Sequence, residues 1–290
     1  MSAYSPLLHF LLLSTFLPMQ KRRFLTLLAS SLTLPVLAVL PAQASAAKSS
    51  TTGATPAKRP LLVAGMDAAY PPFGSRNSAT GEYEGFDVDV IRAIGRAEGF
   101  DVEIRNLAFD GLIPALKTGS IDIAINDITI TPERAKNVAF SKRYYIAGLG
   151  VVVKKGYSGI RTAKDLEGKV LAVSIGSTGE EAARNIPNAK VRVFNQMNEC
   201  FLELRNGGVD AVINDIPTND YYAMGAGRRY VDSLPVALSE EDLGIAVRKD
   251  NTEMLKHIDA GLAKIKASGE FSKIYARWFG KEPPSALLED

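Results

Sequence analysis

The chain has 290 residues, of which 46% are hydrophobic and 23% charged, enough for one or two globular domains with apolar cores. It carries 34 Lys and Arg against 32 Asp and Glu, so no strong charge imbalance indicates a highly charged partner. Cys200 is its only cysteine, which excludes an intramolecular disulfide. The amphipathic stretch around Cys200 is typical of a buried, unreactive thiol.

Residues 1–46 have the three parts of a secretory signal. A Lys-Arg-Arg run at 21–23 precedes an apolar run at 24–40, and two overlapping Ala-x-Ala sites follow within 42–46. A membrane anchor is the alternative, but the prolines and small residues that follow the apolar run favour cleavage. Since a second apolar stretch precedes the basic residues, we expect the true start at Met19.

The chain after the signal is close to neutral. Residues 1–46 hold three basic and no acidic residues, so 31 basic residues remain against 32 acidic, a net charge of −1. We therefore expect no nucleic-acid partner. Residues 47–59, rich in Ser, Thr, Ala and Lys, predict a disordered leader. The signal predicts a protein exported to the periplasm.

From residue 61 onward, short β-rich runs alternate with helical patterns. This alternation predicts an α/β fold with largely parallel sheets covered by helices. Thr131 and Pro132 have the residue types of a helix N-cap and first turn. In chain order, we expect strands at 61–64, 102–107, 121–125, 170–173, 191–194 and 209–213, and helices at 88–97 (capped by Asp87), at 112–117, from Pro132, from Glu180 and at 200–205.

An internal similarity relates residues 116–128 to residues 204–216. Seven of the thirteen aligned positions are identical, including an Asn-Asp pair at the end of each predicted strand, Asp127 in one copy and Asp215 in the other. Chance resemblance between two strand entries is one explanation. The other is a pair of similar lobes, each with an Asp at the strand ends, where ligands bind in open α/β sheets.

Four motifs occur in a recognisable order: Gly65–Phe73, Glu84–Val90, Asp127–Arg134 and Ala172–Gly179. Together with Asp215 they resemble the family 3 periplasmic solute-binding proteins, the polar amino-acid receptors of ABC importers. The resemblance extends over roughly residues 61–280, nearly the whole chain after the leader.

The resemblance implies an α/β, two-lobed periplasmic binding protein fold, in which each lobe is a mostly parallel sheet flanked by helices. We expect lobe 1 to comprise residues 60–149 plus 243–281, lobe 2 residues 150–242, and a C-terminal tail residues 282–290. Two crossings, near 148–150 and 241–244, would form a hinge that closes on the ligand.

Arg134 is the candidate anion clamp. It falls in the first turn of the helix that begins after Thr131, where the positive end of the helix dipole disfavours a cation. A solvated surface Arg is the alternative, and this placement argues against it. The resemblance implies that Arg134 binds the α-carboxylate of a free amino acid with the two-pronged geometry of its guanidinium.

Ser177 and Thr178 lie between a predicted strand and the helix from Glu180. Free backbone N–H groups at a helix start suit a carboxylate, although an ordinary capped turn explains the same residues equally well. Because no Walker lysine follows, the sequence does not indicate a nucleotide site.

The resemblance assigns the remaining contacts with the amino acid. It implies that Asp215 binds the ammonium group, with the hydroxyl of Thr129 beside it, although Asp215 is equally suited to cap the next helix. It implies that the rings of Tyr70 and Phe109 flank the ligand side chain, although each ring is otherwise typical of a core. Asp67 matches a position that often meets the distal end of that side chain.

Asp127 departs from the family pattern, in which Gly or Ser is usual at its position. If Arg134 and Asp215 neutralise the backbone charges of the ligand, Asp67 and Asp127 are left over. This surplus favours a cationic or amide side chain over an acidic one. Alternatively, Asp127 points away and caps the turn at residues 128–129.

We therefore expect a non-catalytic, monomeric receptor without cofactor or metal, which captures a free polar amino acid and delivers it to an inner-membrane ABC permease. An enzyme on the same scaffold is the main alternative. Cyclohexadienyl dehydratases resemble this family and use an acid after the Gly-Ser/Thr turn as general acid, and Glu180 stands near that place. A detached sensor domain is a further alternative.

Overall fold

The computed structural model describes residues 59–289. The predicted signal at 1–46 and all but the last residue of the predicted leader lie outside the described residues. The strands are β1 Leu61–Met66, β2 Ala69–Tyr70, β3 Gly74–Arg76, β4 Tyr83–Glu84, β5 Asp101–Asn106, β6 Ile123–Ala124, β7 Val138–Phe140, β8 Tyr145–Ala147, β9 Leu149–Lys154, β10 Val170–Ser174, β11 Lys190–Phe194, β12 Ala211–Asp215, β13 Val231–Leu234, β14 Glu241–Leu243 and β15 Ala246–Arg248.

The helices include every helix predicted above, α6 directly after Asp215, and two further ones, α7 and α8, near the C-terminus. They are α1 Phe86–Glu98, α2 Leu112–Thr118, α3 Pro132–Asn137, α4 Thr178–Arg184, α5 Met197–Asn206, α6 Ile216–Met224, α7 Thr252–Ala267 and α8 Glu270–Phe279, with short 3-10 helices at Phe109–Gly111, Ala163–Leu166 and Ser285–Leu287. Thr131 is the N-cap of α3, as predicted, because its side chain accepts the Arg134 N–H at 3.1 Å.

Two five-stranded sheets organise these elements into two lobes. The first sheet has the order β5-β1-β6-β15-β7 and the second the order β11-β10-β12-β9-β13. In each sheet the fourth strand is antiparallel to both of its neighbours, and the other four strands share one direction. The expectation of mostly parallel sheets is therefore confirmed, with one reversed strand in each sheet.

The reversed strands mark where the chain passes between the lobes. Strand β9 follows the first crossing and β15 follows the second. The segments just before them, β8 and β14, pair antiparallel in a two-stranded sheet, from Tyr145 opposite Leu243 to Ala147 opposite Glu241. We call this pair the connecting ribbon.

Helices cover the sheets, and helices and strands both contribute to the apolar core. In the first lobe, α1 packs against β5, α7 and α8. Phe86, at the start of α1, is fully buried, and the centres of six aromatic rings lie within 6.1 Å of its own ring centre. In the second lobe Cys200 is buried without a disulfide, and burial raises the pKa of its thiol to about 12, as expected of an unreactive cysteine.

The internal repeat occupies equivalent places in the two lobes. Asp122 precedes β6, and its Oδ2 accepts the Val63 N–H of the neighbouring strand at 2.8 Å. Asp210 precedes β12, and its Oδ2 accepts the Val170 N–H at the same distance. The two copies thus make the same hydrogen bond to the equivalent neighbouring strand, β1 in the first sheet and β10 in the second. The sequence repeat is therefore also a structural repeat.

The predicted cap of α1 is wrong. The helix begins two residues earlier than expected, at Phe86. It follows Gly85, whose φ of +143° and close approach to Phe73 leave no room for a Cβ. Asp87 instead lies inside the first turn, fully buried, and its Oδ2 accepts the Asp127 N–H at 2.9 Å. Asp87 therefore supports the cleft rather than the end of the helix.

Candidate functional site

A cleft lies where the carboxyl ends of strands from both sheets face each other. Strands β1 and β6 reach it from the first lobe, and β10 and β12 from the second. Twelve residues line it: Asp67, Tyr70, Phe109, Asn126, Asp127, Thr129, Arg134, Ser174, Ser177, Thr178, Asn214 and Asp215. The structure therefore brings together all nine residues predicted from the sequence, and it adds Asn126, Ser174 and Asn214.

The Arg134 side chain extends from α3 across the cleft to the second lobe. Its Nη1 donates to the Thr129 carbonyl and its Nη2 to the Gly176 carbonyl, both at 3.0 Å. Its guanidinium carbon lies 5.3 Å from the centre of the Phe109 ring, a cation–π contact. Burial lowers the pKa of Arg134, and the nearby acids Asp215 and Glu241 oppose that shift. Arg134 is therefore a packed cation in the cleft and not a solvated surface residue.

Asp215 lies at the end of β12, opposite Tyr70. The Tyr70 hydroxyl is 2.8 Å from Asp215 Oδ2 and 2.6 Å from Asn214 Oδ1, so it joins the two lobes. The Tyr70 hydroxyl has one proton and can donate to only one of these two oxygens. If the Asn214 amide is flipped, its Nδ2, which has no partner among the described residues, donates to the Tyr70 oxygen, and Tyr70 donates to Asp215. Asp215 Oδ1 has no partner among the described residues, and the side chain does not cap α6.

Asp127 occupies the equivalent position after β6 in a different backbone conformation. Its φ is +54°, a left-handed value that favours Gly but that Asp tolerates better than most residues. The side chain is 4% exposed, and neither carboxylate oxygen has a partner among the described residues. The alternative that Asp127 caps the turn after it is therefore wrong. Burial raises the pKa of Asp127 well above its ordinary value, and Asp215, Asp87 and Glu241 raise it further.

Asp67 follows β1 and is fixed by neighbouring amides. Its N–H donates to Asn126 Oδ1 at 2.8 Å, and its Oδ1 accepts the Ala69 N–H at 3.0 Å. Burial raises the pKa of Asp67 above its ordinary value, and the hydrogen bond from the Ala69 N–H offsets only part of that shift. Asn126, the first member of the repeated Asn-Asp pair, thus positions an acid at the cleft wall.

The hydroxyls around the cleft are already engaged. Ser177 Oγ donates to the Ser174 carbonyl at 2.7 Å and accepts the Glu180 N–H at 3.0 Å, so it is the N-cap of α4. Thr129 and Thr178 both donate to the buried carboxylate of Glu241. Glu241 was not among the predicted site residues, since its Ser-Glu-Glu-Asp surroundings are typical of an exposed loop.

Glu180 does not line the cleft. Its Oε1 accepts two hydrogen bonds from Arg184, at 2.7 and 2.9 Å, and its Oε2 accepts the Gly176 N–H at 2.8 Å. A general acid must face its substrate with a proton to give, and this carboxylate is instead engaged as an acceptor on both oxygens. The geometry gives no support to a dehydratase role for Glu180.

Acidic groups outnumber basic ones at the cleft. Four carboxyl groups (Asp67, Asp127, Asp215 and Glu241) lie in or directly behind it, against the single cation Arg134. Within residues 59–289, no group of three or more His, Cys, Asp or Glu side chains has an arrangement that suits a metal ion. Carboxyl groups therefore outnumber cations along the walls of the cleft.

The buried carboxyls predict an unusual pH dependence of stability without ligand. Burial raises the pKa of Asp87 and of Asp215 from 3.8 to about 7, and it also raises the pKa of Asp127 well above its ordinary value. Between pH 4 and 7 the folded state therefore binds more protons than the unfolded state, so the free energy of unfolding falls as pH rises. Urea unfolding at pH 5, 6, 7 and 8 should give its highest midpoint at pH 5. A midpoint that rises steadily toward pH 8 contradicts this assignment.

Comparison with known proteins places the chain in a family. The family model of bacterial extracellular solute-binding proteins, family 3, matches residues 62–281. The chain belongs to this family. Among its relatives, the L-cystine-binding protein TcyJ of Escherichia coli (strain K12) is 32% identical over 230 residues, which cover 78% of this chain and 85% of TcyJ.

Solved structures of similar proteins confirm the two-lobed periplasmic binding protein fold. An ancestral arginine-binding protein bound to arginine is 41% identical with a TM-score of 0.73, and the match covers 77% of this chain and 99% of that one. The ancestral amino acid-binding protein AncCDT-1, a precursor of cyclohexadienyl dehydratase, is 39% identical with a TM-score of 0.70, over 76% and 95% of the two chains.

These relatives are binding proteins, which confirms the expectation of a receptor rather than an enzyme. Even the match related to a dehydratase is an amino acid-binding precursor of that enzyme. Family 3 proteins are extracellular, so the chain works outside the cytoplasm. Among the described residues, no helix has the length and apolar character needed to cross a bilayer.

Proposed function

We propose that this solute-binding protein captures one free amino acid with a cationic or amide side chain in the cleft and presents it to an ABC permease of the inner membrane. One observation carries the proposal: Arg134 faces two buried carboxyl groups, Asp127 and Asp215, that have unpartnered oxygens. A buried carboxyl oxygen without a donor is costly, and an incoming ammonium or guanidinium supplies that donor.

Arg134 binds the ligand carboxylate in this proposal. Its guanidinium is held in place by the Thr129 and Gly176 carbonyls and by the Phe109 ring. A fixed guanidinium loses little conformational freedom when it binds a carboxylate, which favours affinity. Ser177 and Thr178 line the same cleft at the start of α4, and we expect them to contact the same carboxylate.

Asp215 binds the α-ammonium group of the ligand. Tyr70, from the opposite lobe, holds the Asp215 carboxylate in place. The carboxyl of Asp127 faces the same space from the first lobe and supplies a second negative site. Asp67 and Phe109 also line the cleft, and in this proposal the distal end of a long ligand side chain meets Asp67. A ligand with a second positive charge or an amide donor satisfies more of these oxygens than an acidic ligand does.

Closure of the two lobes traps the ligand. We propose lobe 1 at 60–149 plus 243–281, lobe 2 at 150–242 and a tail at 282–290, with the connecting ribbon at the hinge. Contacts that cross the cleft in this structure include those of Tyr70 with Asn214 and Asp215, and that of Arg134 with the Gly176 carbonyl. Because the ligand would touch both sides, its binding and the closure share one free energy.

The N-terminal segment directs export in this proposal. Residues 1–46 are a cleavable signal, the mature protein begins at Ser45 or Ala47, and it acts in the periplasm as a monomer. Native mass spectrometry of a periplasmic extract tests both points together. A full-length mass in the membrane fraction, or a dimer mass, contradicts them.

Thermal-shift measurements of the mature protein against the twenty amino acids test the proposed ligand class. A ligand at 100 times its Kd adds about 2.7 kcal/mol of stability, which gives a clear shift. We expect arginine, lysine, histidine or glutamine to give the largest shift, and calorimetry to rank them above glutamate and aspartate. Tightest binding of glutamate would exclude Asp67 and Asp127 from the pocket. No shift with any amino acid would overturn the proposed function.

A further inference from the structure

Glu241 is a buried acid at the boundary between the lobes. It begins β14 in the connecting ribbon and is only 8% exposed. Three hydroxyls donate to its carboxylate: Thr129 to Oε2 at 2.5 Å, Thr178 to Oε2 at 2.9 Å and Ser239 to Oε1 at 2.9 Å. This side chain therefore has its hydrogen-bonding capacity filled by the protein itself.

The two hydroxyls on Oε2 come from different lobes. Thr129 follows β6 in the first lobe, and Thr178 begins α4 in the second. Glu241 itself belongs to neither sheet, because β14 pairs with β8 in the ribbon. A single carboxylate oxygen thus connects three parts of the molecule whose relative positions change when a two-lobed protein opens.

We propose that Glu241 is an interlobe latch, a positioning residue that prolongs the closed state by holding Thr129 and Thr178 on one carboxylate oxygen. Opening of the cleft separates Thr129 from Thr178, so Glu241 can no longer hold both hydroxyls on one oxygen and is left with fewer donors. That loss opposes opening, since hydrogen bonds to a charged acceptor are the stronger ones. The inference rests on the proposed function, because release of the amino acid requires opening.

The same contacts set the polarity of the cleft wall. Each Thr hydroxyl has one proton, and here both protons point toward Glu241. Thr129 and Thr178 therefore present oxygen lone pairs to a ligand and accept hydrogen bonds from it. An amino acid must place its N–H donors against these hydroxyls, while its carboxylate remains with Arg134.

Ligand dissociation rates measured by stopped flow test the latch. Thr178→Val keeps the shape of the side chain and removes only its hydroxyl, and Glu241→Ala removes the acceptor. We expect each variant to release the amino acid at least tenfold faster than the wild type. The double variant should release it no faster than the faster single variant, because both changes break the same contact. If the two increases in dissociation rate multiply in the double variant, Thr178 and Glu241 act independently, and the latch is overturned.

A matched control separates the latch from a general effect on the ribbon. Asp242 is the next residue on β14 and pairs with Arg143 at a half-exposed site away from the cleft. Asp242→Asn should therefore leave the dissociation rate within about twofold of the wild type, since exposed ion pairs contribute little. Equal acceleration in Asp242→Asn and Glu241→Ala would show that the ribbon, not the latch, controls release.

Small-angle X-ray scattering without ligand keeps this test separate from the proposed function. If no amino acid binds the wild type, the proposed function fails, but the latch still predicts a larger radius of gyration for Glu241→Ala and Thr178→Val than for the wild type. If both variants match the wild type in radius, and in dissociation rate where binding is seen, Glu241 does not hold the lobes together.

Discussion

Arg134→Ala is expected to weaken amino-acid binding by roughly 30-fold to several thousand-fold. Removal of one partner of a buried, hydrogen-bonded charge pair typically costs about 2–5 kcal/mol, because the other charge is left unpaired. At about 1.4 kcal/mol per decade of Kd, that cost gives the stated range. Calorimetric titration with the best ligand from the screen measures the effect. Folding should survive, since a cation in the first turn of a helix opposes the helix dipole.

Two variants control this result. Arg134→Lys keeps the charge but loses the planar fork and the stacking on Phe109, so most of the affinity should still be lost. Lys136→Ala lies in the same helix and removes only an exposed ion pair with Glu133, so affinity should not change. Wild-type affinity in both Arg134 variants, with melting temperatures unaltered, would place the anion clamp elsewhere.

Asp127→Gly is expected to raise the stability of the ligand-free protein. The wild-type side chain buries a carboxyl group whose two oxygens have no partner, and its backbone φ of +54° suits Gly better than any other residue. A buried unsatisfied polar group costs about 1–3 kcal/mol, and relief of that cost should exceed the chain entropy added by a glycine. Urea unfolding at neutral pH measures the gain.

Asp127→Gly should also weaken the preference of the cleft for cationic ligands over amide ligands. Without Asp127, the cleft has one fewer negative group near the ligand, so the ratio of arginine or lysine affinity to glutamine affinity should fall about 30-fold or more, in line with the roughly 2–5 kcal/mol typical of a lost buried charge partner. Asp127→Asn separates the two effects, because it removes the charge but keeps a polar group at that position. It should lower the ratio with little gain in stability. A stability loss in Asp127→Gly would mean that the carboxyl has a donor in solution.

Eight of the nine predicted cleft residues lie in a local motif or at a strand end, and the ninth, Phe109, was identified by the family resemblance alone. The repeat placed Asp127 and Asp215 at the ends of β6 and β12, and the Thr-Pro pair before Arg134 marked a helix start. Asn126 and Asn214 belong to the same repeat, and their identity in both copies was the signal that could have added them to the site. The resemblance to a family supplied the roles that spacing alone does not specify.

Other features depend on contacts between distant parts of the chain. Glu241 is buried only because Thr129 and Thr178, 112 and 63 residues earlier, meet it at the ribbon. Asp87 looks like a helix cap in sequence, yet its carboxylate supports Asp127, 40 residues later. Tyr70 reaches Asp215 across 145 residues. Local patterns of hydrophobicity or capping do not contain such pairings, so they emerge only from the folded chain.

The position of β15 has a consequence for the order in which the protein assembles. All five strands of the second sheet lie within residues 149–234, whereas the first sheet needs β15, at Ala246–Arg248, between β6 and β7. When the chain emerges N-terminus first, from a ribosome or a translocation pore, the second lobe has all of its strands before the first lobe does. Strand β7 has no partner in its sheet until β15 arrives. The half of the molecule that is made first is therefore the half that is finished last.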